Sequence, residues 1–200
     1  MLADKAGGFP EMVDVSRALL SMLVADAAVQ HPTLLELGSG SGAMTVALLE
    51  NGVAQADGVD LSSESVATAR RRAEAAGVAD RALFHVGDGS SFPVEPHDWV
   101  VLDRVMCCFP HVDRLLTHSI GAAQRRYAFS LPYARGWRRI VNGLLIGFDN
   151  SWDRLRGNGC TGYVHSMSKI ESRLREAGFS KKDDRMIGLW YAAVWDRAGA

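Results

Sequence analysis

The stretch Leu34-Leu35-Glu36-Leu37-Gly38-Ser39-Gly40-Ser41-Gly42 constrains the fold more than any other part of this 200-residue chain. A short apolar run reads as a strand and the alternating glycines as a tight turn. The apolar segment Ala43 to Glu50 then reads as a short helix, stopped by Asn51-Gly52. Glycine tolerates positive φ and lets a ligand approach the backbone without meeting a Cβ. A turn of this kind sets the carboxyl end of a strand beside a helix N-terminus, whose free N–H groups face outward. The string also satisfies Gly38-x-Gly40-x-x-Ala43, a formal dinucleotide fingerprint. Its plainest alternative is a strand-to-helix turn that binds nothing.

The rest of the chain repeats the rhythm. Ala56 to Leu61 reads as a second strand, and Ser62 or Ser63 caps a helix running to about Ala76, with Glu64 in its first turn and Gly77 as its stop. Ala82 to Val86, Trp99 to Leu102 and Tyr127 to Leu131 read as three further strands. Upstream, Met12, Ser16, Leu19, Leu23 and Ala27 recur at helical spacing, which predicts a helix over Pro10 to Val29. Ser166 to Ala177 predicts another, closed by Gly178. Phe179 to Met186 and Gly188 to Asp196 then follow without a helix between them, which suggests an antiparallel hairpin at the far edge. The expected architecture is α/β: a single domain over 1–200 with a mostly parallel seven-stranded sheet, helices on both faces and an antiparallel C-terminal hairpin. Residues 1–31 form an N-terminal helical cap in this reading. Residues 132–165 are an insertion carrying Trp137, Arg138, Arg139, Trp152, Arg154 and Arg156, either a helix packed on the sheet or a substrate lid.

Composition removes several classes. Hydrophobic residues are 48% and charged residues 22%, the balance of a globular domain. Lys+Arg 22 against Asp+Glu 23 leaves a net charge of −1, so no bulk basic field draws nucleic acid. No apolar run approaches the ~20 residues that span a bilayer, and Met1 to Pro10 lacks the pattern of a signal peptide. The cysteines, Cys107, Cys108 and Cys160, are odd in number and form no CxxC pair, so a reduced, cytoplasmic chain without a metal site is expected. The adjacent pair reads as small buried apolar residues, and Arg70-Arg71-Arg72 as a solvated helix face.

Acidic residues at strand ends narrow the ligand. Asp60 ends the second strand, 22 residues after Gly38, where a carboxylate accepts hydrogen bonds from ribose hydroxyls. Glu36 stands two residues before Gly38. There a negative charge repels a diphosphate but favours a cationic sulfonium ligand with an amino-acid tail. Asp88, in Val86-Gly87-Asp88-Gly89, follows the third strand and can accept a hydrogen bond from an exocyclic amine such as that of adenine.

With these residues in order, the chain resembles the class I S-adenosylmethionine-dependent methyltransferases over about residues 33–197. Glu36 to Gly42, Gly58-Val59-Asp60-Leu61-Ser62 and Val86-Gly87-Asp88 stand as that family's first three motifs. The resemblance implies that S-adenosylmethionine is bound and S-adenosylhomocysteine released. By position, Gly38, Ser39, Gly40 and Gly42 would hold the methionine part with Glu36. Asp60 would hold the ribose, Leu61 would pack on the adenine, and Asp88 with Gly89 would meet its amine. Asp103 and Arg104 would orient the cofactor or pair locally. More narrowly, Val101-Leu102-Asp103-Arg104-Val105-Met106-Cys107-Cys108-Phe109-Pro110 resembles a bacterial group related to magnesium-protoporphyrin O-methyltransferases. Ser130-Leu131-Pro132, Trp137-Arg138-Arg139 and Tyr163-Val164-His165 fit that group as well. Cys108 stands where the porphyrin enzymes tend to carry a His.

The expected activity is methyl transfer to a small-molecule acceptor at oxygen, with no nucleic-acid partner. Displacement at a sulfonium needs alignment more than acid–base help. Where the acceptor must lose a proton, His111 and His165 are the candidate bases, and His111 is equally a candidate helix cap. His85, inside a strand, reads as structural. The rival readings are a nicotinamide-dependent oxidoreductase and a non-catalytic sensor that binds the cofactor.

Overall fold

The computed structural model describes residues 12–25, 31–136, 138, 140–146 and 162–199. The parallel part of the sheet is built from β1 (Thr33–Leu37), β2 (Gln55–Asp60), β3 (Ala82–Val86), β4 (His97–Asp103) and β5 (Ala123–Pro132). The last two strands, β6 (Phe179–Ile187) and β7 (Trp190–Arg197), add an antiparallel hairpin, giving the order β3-β2-β1-β4-β5-β7-β6. β1 is the pivot: the chain steps outward from it through β2 and β3, then returns to its other side at β4. In such sheets the crevice opens at the strands' carboxyl ends, where the order reverses.

Alternation along the central strands sorts the core into two layers. Leu34, Val101, Ala128 and Val194 face one side, which is covered by α1 (Asp14–Val24), α2 (Ala43–Glu50) and α3 (Ser63–Ala75). Leu35, Val100, Phe129 and Trp195 face the other, covered by α4 (Val112–Ala122) and α6 (Met167–Glu176). A short helix, α5, occupies 140–146 between β5 and α6. The central strands are apolar in nearly every position because both faces are covered. β6, at the edge, is exposed from Ser180 to Met186 and carries Lys181, Lys182, Asp183, Asp184 and Arg185. Charges on a free edge discourage pairing with another chain.

Element types follow the sequence reading, while several boundaries move. β4 and β5 run longer than their apolar cores because ladder pairing carries on through His97 and Arg126. The N-terminal helix is seen as Asp14–Val24; residues 10–11 and 26–29 of the expected helix lie outside the described residues. Its stripe of Val15, Leu19, Leu20 and Leu23 is buried in the core, so this helix is a sheet-covering element. The triple arginine is a largely solvated face, with Arg70 and Arg71 exposed and Arg72 half-buried, yet two of the three reach beyond their helix. Arg70 donates to the Phe84 carbonyl (2.6 Å) and Arg72 to the Ser41 carbonyl (2.9 Å), while only Arg71 stays on its own helix, bonded to Thr68. Cys108 is exposed and Cys107 half-buried, against the expectation of two buried cysteines; they lie in a 3₁₀ turn, Met106–Cys108, at the cleft. Among the described residues no helix is long and apolar enough to cross a membrane.

Candidate active site

The glycine turn leaves β1 with three left-handed residues, Gly38 (φ 76°), Gly40 (φ 51°) and Gly42 (φ 76°). The amides of Gly38 and Ser39 both donate to the Val59 carbonyl, at 2.7 and 3.1 Å, which ties the turn to β2. Gly42 is the N-cap of α2, and a Cβ there would come within 2.8 Å of the Ala69 Cβ on α3. The turn is therefore wedged between two helices, and only glycine fits. Gly40 has open space on its Cβ side and faces the cleft.

Asp60 ends β2 beside the turn. One carboxylate oxygen accepts from the Gly40 amide (2.8 Å), the other from the Ser62 amide (2.9 Å). Asp88 accepts from the Ser90 amide (2.8 Å) just beyond β3. Leu61 lies between these acids and is 67% exposed, an apolar platform without cover in the free chain.

Glu36 and Asp103 occupy a different environment. Glu36 is 2% exposed within β1, and the Thr45 hydroxyl of α2 donates to it. Burial pushes its carboxyl up to about 8, with the nearby Asp103 and Asp60 charges adding to the rise against the Thr45 hydrogen bonds. Asp103, at the end of β4, is also raised by burial. Hydrogen bonds from Ser130 and Ser16 and the charge of Arg104 partly offset this. Arg104 itself takes a left-handed conformation (φ 59°); its amide donates to Ser130 and its guanidinium lies over Trp190 at 5.5 Å.

These groups line two adjoining spaces. A cavity of about 460 Å³ reaches from Asp60, Leu61, Asp88 and Gly89 to the turn Val105–His111, with Arg114 and Leu115 of α4 on its wall. A smaller one of about 180 Å³ is lined by Glu36, Gly38, Ser39, Gly40 and Ser41 together with Met12, Ser16 and Met44. Gly38, Asp103 and Arg104 are walls of both. The Ser39 hydroxyl is buried beside the smaller space with no hydrogen-bond partner among the described residues.

The two candidate bases separate. His111 is exposed on the wall of the larger cavity; it stands at the N-cap position of α4, but its side chain makes no cap hydrogen bond. His165 is not on that wall. It lies close to the backbone of Met106 and Phe109, behind the turn, and burial lowers its imidazole pKa. His85 sits in β3 with its Nε2 4.0 Å from Asp57, which also meets His97 at 3.2 Å, away from the cleft. Of the expected lid, Trp137, Arg139 and 147–161, with Trp152, Arg154, Arg156 and Cys160, lie outside the described residues. Ser16, Thr45 and Ser130, which serve the buried carboxyls, escape a reading of the sequence. Thr45 carries a usable signal, being the one hydroxyl in the otherwise apolar run Ala43 to Leu49.

The sheet order β3-β2-β1-β4-β5-β7-β6, with the glycine turn after β1, is that of the class I methyltransferase fold. Residues 34–124 match the family model for a methyltransferase domain. The fold is shared with the crystal structure of magnesium protoporphyrin IX methyltransferase from Synechocystis with bound SAH. The TM-score is 0.74 at 19% identity, over 92% of this chain and 82% of that one. Two curated proteins are similar over shorter stretches. One is the ribosomal RNA small subunit methyltransferase A of Prochlorococcus marinus, 32% identical over 93 residues, 46% of this chain and 32% of that protein. The other is the release factor glutamine methyltransferase of Rhodospirillum rubrum, 41% identical over 69 residues, 34% of this chain and 21% of that protein. The chain thus spans a third or less of the curated relatives it matches.

Proposed function

We propose that the protein transfers the methyl group of S-adenosylmethionine to an oxygen of a small-molecule acceptor. The observation that carries this reading is the larger cavity, which joins Asp60, Leu61 and Asp88 to an apolar chamber bearing His111. Asp60 meets the ribose hydroxyls, Leu61 the adenine face, and Asp88 with Gly89 the exocyclic amine. The glycine turn, with Glu36, Asp103 and Arg104 around the smaller space, takes the amino-acid end. Ser39 Oγ, buried and unpartnered, suits a ligand that brings polar groups into that space.

Bound there, S-adenosylmethionine supplies an electrophilic methyl for direct displacement. The protein's contribution is alignment: Val105, Phe109, Pro110 and Leu115 shape the chamber and exclude water. A carboxylate acceptor arrives ionised and needs no base. For a hydroxyl acceptor, His111 takes the proton as the oxygen–carbon bond forms and the sulfur keeps the electron pair of the broken bond. His165 lies behind the turn, close to the backbone of Met106 and Phe109, and takes no proton in this reading. A chamber of this size and apolar lining suits a small acceptor, and the net charge of −1 offers no general attraction to RNA.

Calorimetry with S-adenosylmethionine and S-adenosylhomocysteine tests the first half of the proposal. Both should bind the native protein; binding of NADH with no sulfonium binding reverses it. Transfer of labelled methyl to a panel of small carboxylic acids and phenols tests the second half. Labelling of ribosomal RNA or a protein substrate in place of every small acid and phenol refutes it. Cofactor binding without turnover on any of these acceptors returns the sensor reading.

A further inference from the structure

We propose that Glu36 is a titrating counter-ion: it holds a proton in the free protein and releases it to solvent when the ammonium group of the ligand's amino-acid end enters the smaller space. This rests on the reading of the cleft as an S-adenosylmethionine site. Glu36 lies inside β1 with Leu35 and Leu37 on either side, all three buried. Its hydrogen-bond partner is the Thr45 hydroxyl. The charged groups that face it are Asp103 from β4 and Asp60 from β2, both acids; among the described residues no cation pairs with it. Asp103, by contrast, has the hydroxyls of Ser16 and Ser130 and the charge of Arg104. The neutral groups near Glu36 are Ser16 of α1, Met12 just before it, and Met44 and Thr45 of α2; the cation on the wall of the same space is Arg104, which acts on Asp103.

A buried carboxyl without a cation is most stable as the neutral acid. Its carboxyl, pushed up to about 8, is then neutral in most molecules at pH 7. An arriving ammonium supplies the missing charge and makes the carboxylate the stable form. The exchange balances: the acid loses one proton to water, the ligand keeps its own, and an ion pair remains. Below pH 8 each unit of acidity therefore costs the ligand about tenfold in affinity.

The test is calorimetry of S-adenosylhomocysteine in buffers of different ionisation enthalpy, with 5′-methylthioadenosine, which lacks the amino-acid end, as the control. Release of close to one proton on binding at pH 7, about tenfold weaker binding at pH 6, and neither effect with the control are the expected results. Glu36→Gln should bind S-adenosylhomocysteine without proton release and without the pH slope. Binding by the native protein with no proton release overturns the proposal. So does release that survives Glu36→Gln. Should Glu36→Gln fail to fold, the native protein with the two ligands decides alone. Failure of both ligands to bind folded protein overturns the cofactor reading itself.

Discussion

The two ends of the cleft handle their acids in opposite ways. At the outer end Asp60 and Asp88 are half-buried, and backbone amides of Gly40, Ser62 and Ser90 meet their oxygens. At the inner end Glu36 is buried and Asp103 half-buried, and their partners are hydroxyls: Thr45 for the first, Ser16 and Ser130 for the second. Amides in a turn are held by the backbone and point one way. Hydroxyls rotate and can donate or accept, so they serve a carboxyl in either protonation state. The outer end thus holds its carboxylates in fixed directions. The inner end is a place where charge can change.

The largest test strikes the turn on which both ends depend. Gly42→Ala places a Cβ 2.8 Å from the Ala69 Cβ at a residue with φ of 76°. Backbone strain and overpacking together should remove on the order of 3–4 kcal/mol of stability in urea titration. Gly40→Ala, with open space around it, should lose only the strain, about 1 kcal/mol. Equal losses would mean that the wedge between α2 and α3 is unimportant.

Next comes the pH dependence of the inner end. The folded-state pKa of Glu36 lies above its unfolded value, so the native state holds a proton that the unfolded chain has already released. The stability associated with that proton is fully present below the unfolded value and is lost as pH rises toward 8. At about 1.4 kcal/mol per pH unit, raising pH from 5 to 7 should cost the ligand-free protein on the order of 2–3 kcal/mol more than it costs Glu36→Gln. Parallel stability–pH curves for the two would place the burdened carboxyl elsewhere.

Smaller effects belong to the outer end and should appear in binding. Asp60→Ala should weaken S-adenosylhomocysteine by about 1.5–3 kcal/mol in calorimetry, through loss of charge-assisted contacts. An unchanged affinity would remove the role given to Asp60. Leu61→Ala should cost about 1 kcal/mol of the same affinity, with thermal stability unchanged because the side chain is 67% exposed in the free protein. A fall in melting temperature instead would make Leu61 a structural residue.

Patterns with a short range are legible in the amino-acid order itself. The helix Ala43–Glu50 is bounded by Gly42 and Asn51-Gly52, and the strand Ala82–Val86 by its own apolar run. Asp60 and Asp88 stand out because one ends β2 and the other lies two residues beyond β3, and that position alone puts each at the carboxyl edge of the sheet. The cysteine pair is misleading for the converse reason. Cys107 and Cys108 lie in a 3₁₀ turn whose exposure depends on what packs behind it, including the hydrogen bond from the Tyr163 amide to the Cys107 carbonyl (2.7 Å).

The local sequence determined the alternation of strand and helix, the glycine turn and the acids at the strand ends, since each depends on backbone sterics and hydrophobic period. Only the tertiary structure decided which of two histidines faces the cavity: His111 lies on its wall and His165 lies behind it, 54 residues apart in the chain. It also decided that Glu36 is buried against Thr45 while Asp103 is held by Ser16 of α1 and Ser130 of β5. Burial and long-range hydrogen bonds set the charge of a carboxyl, and neither is a property of its neighbours in sequence.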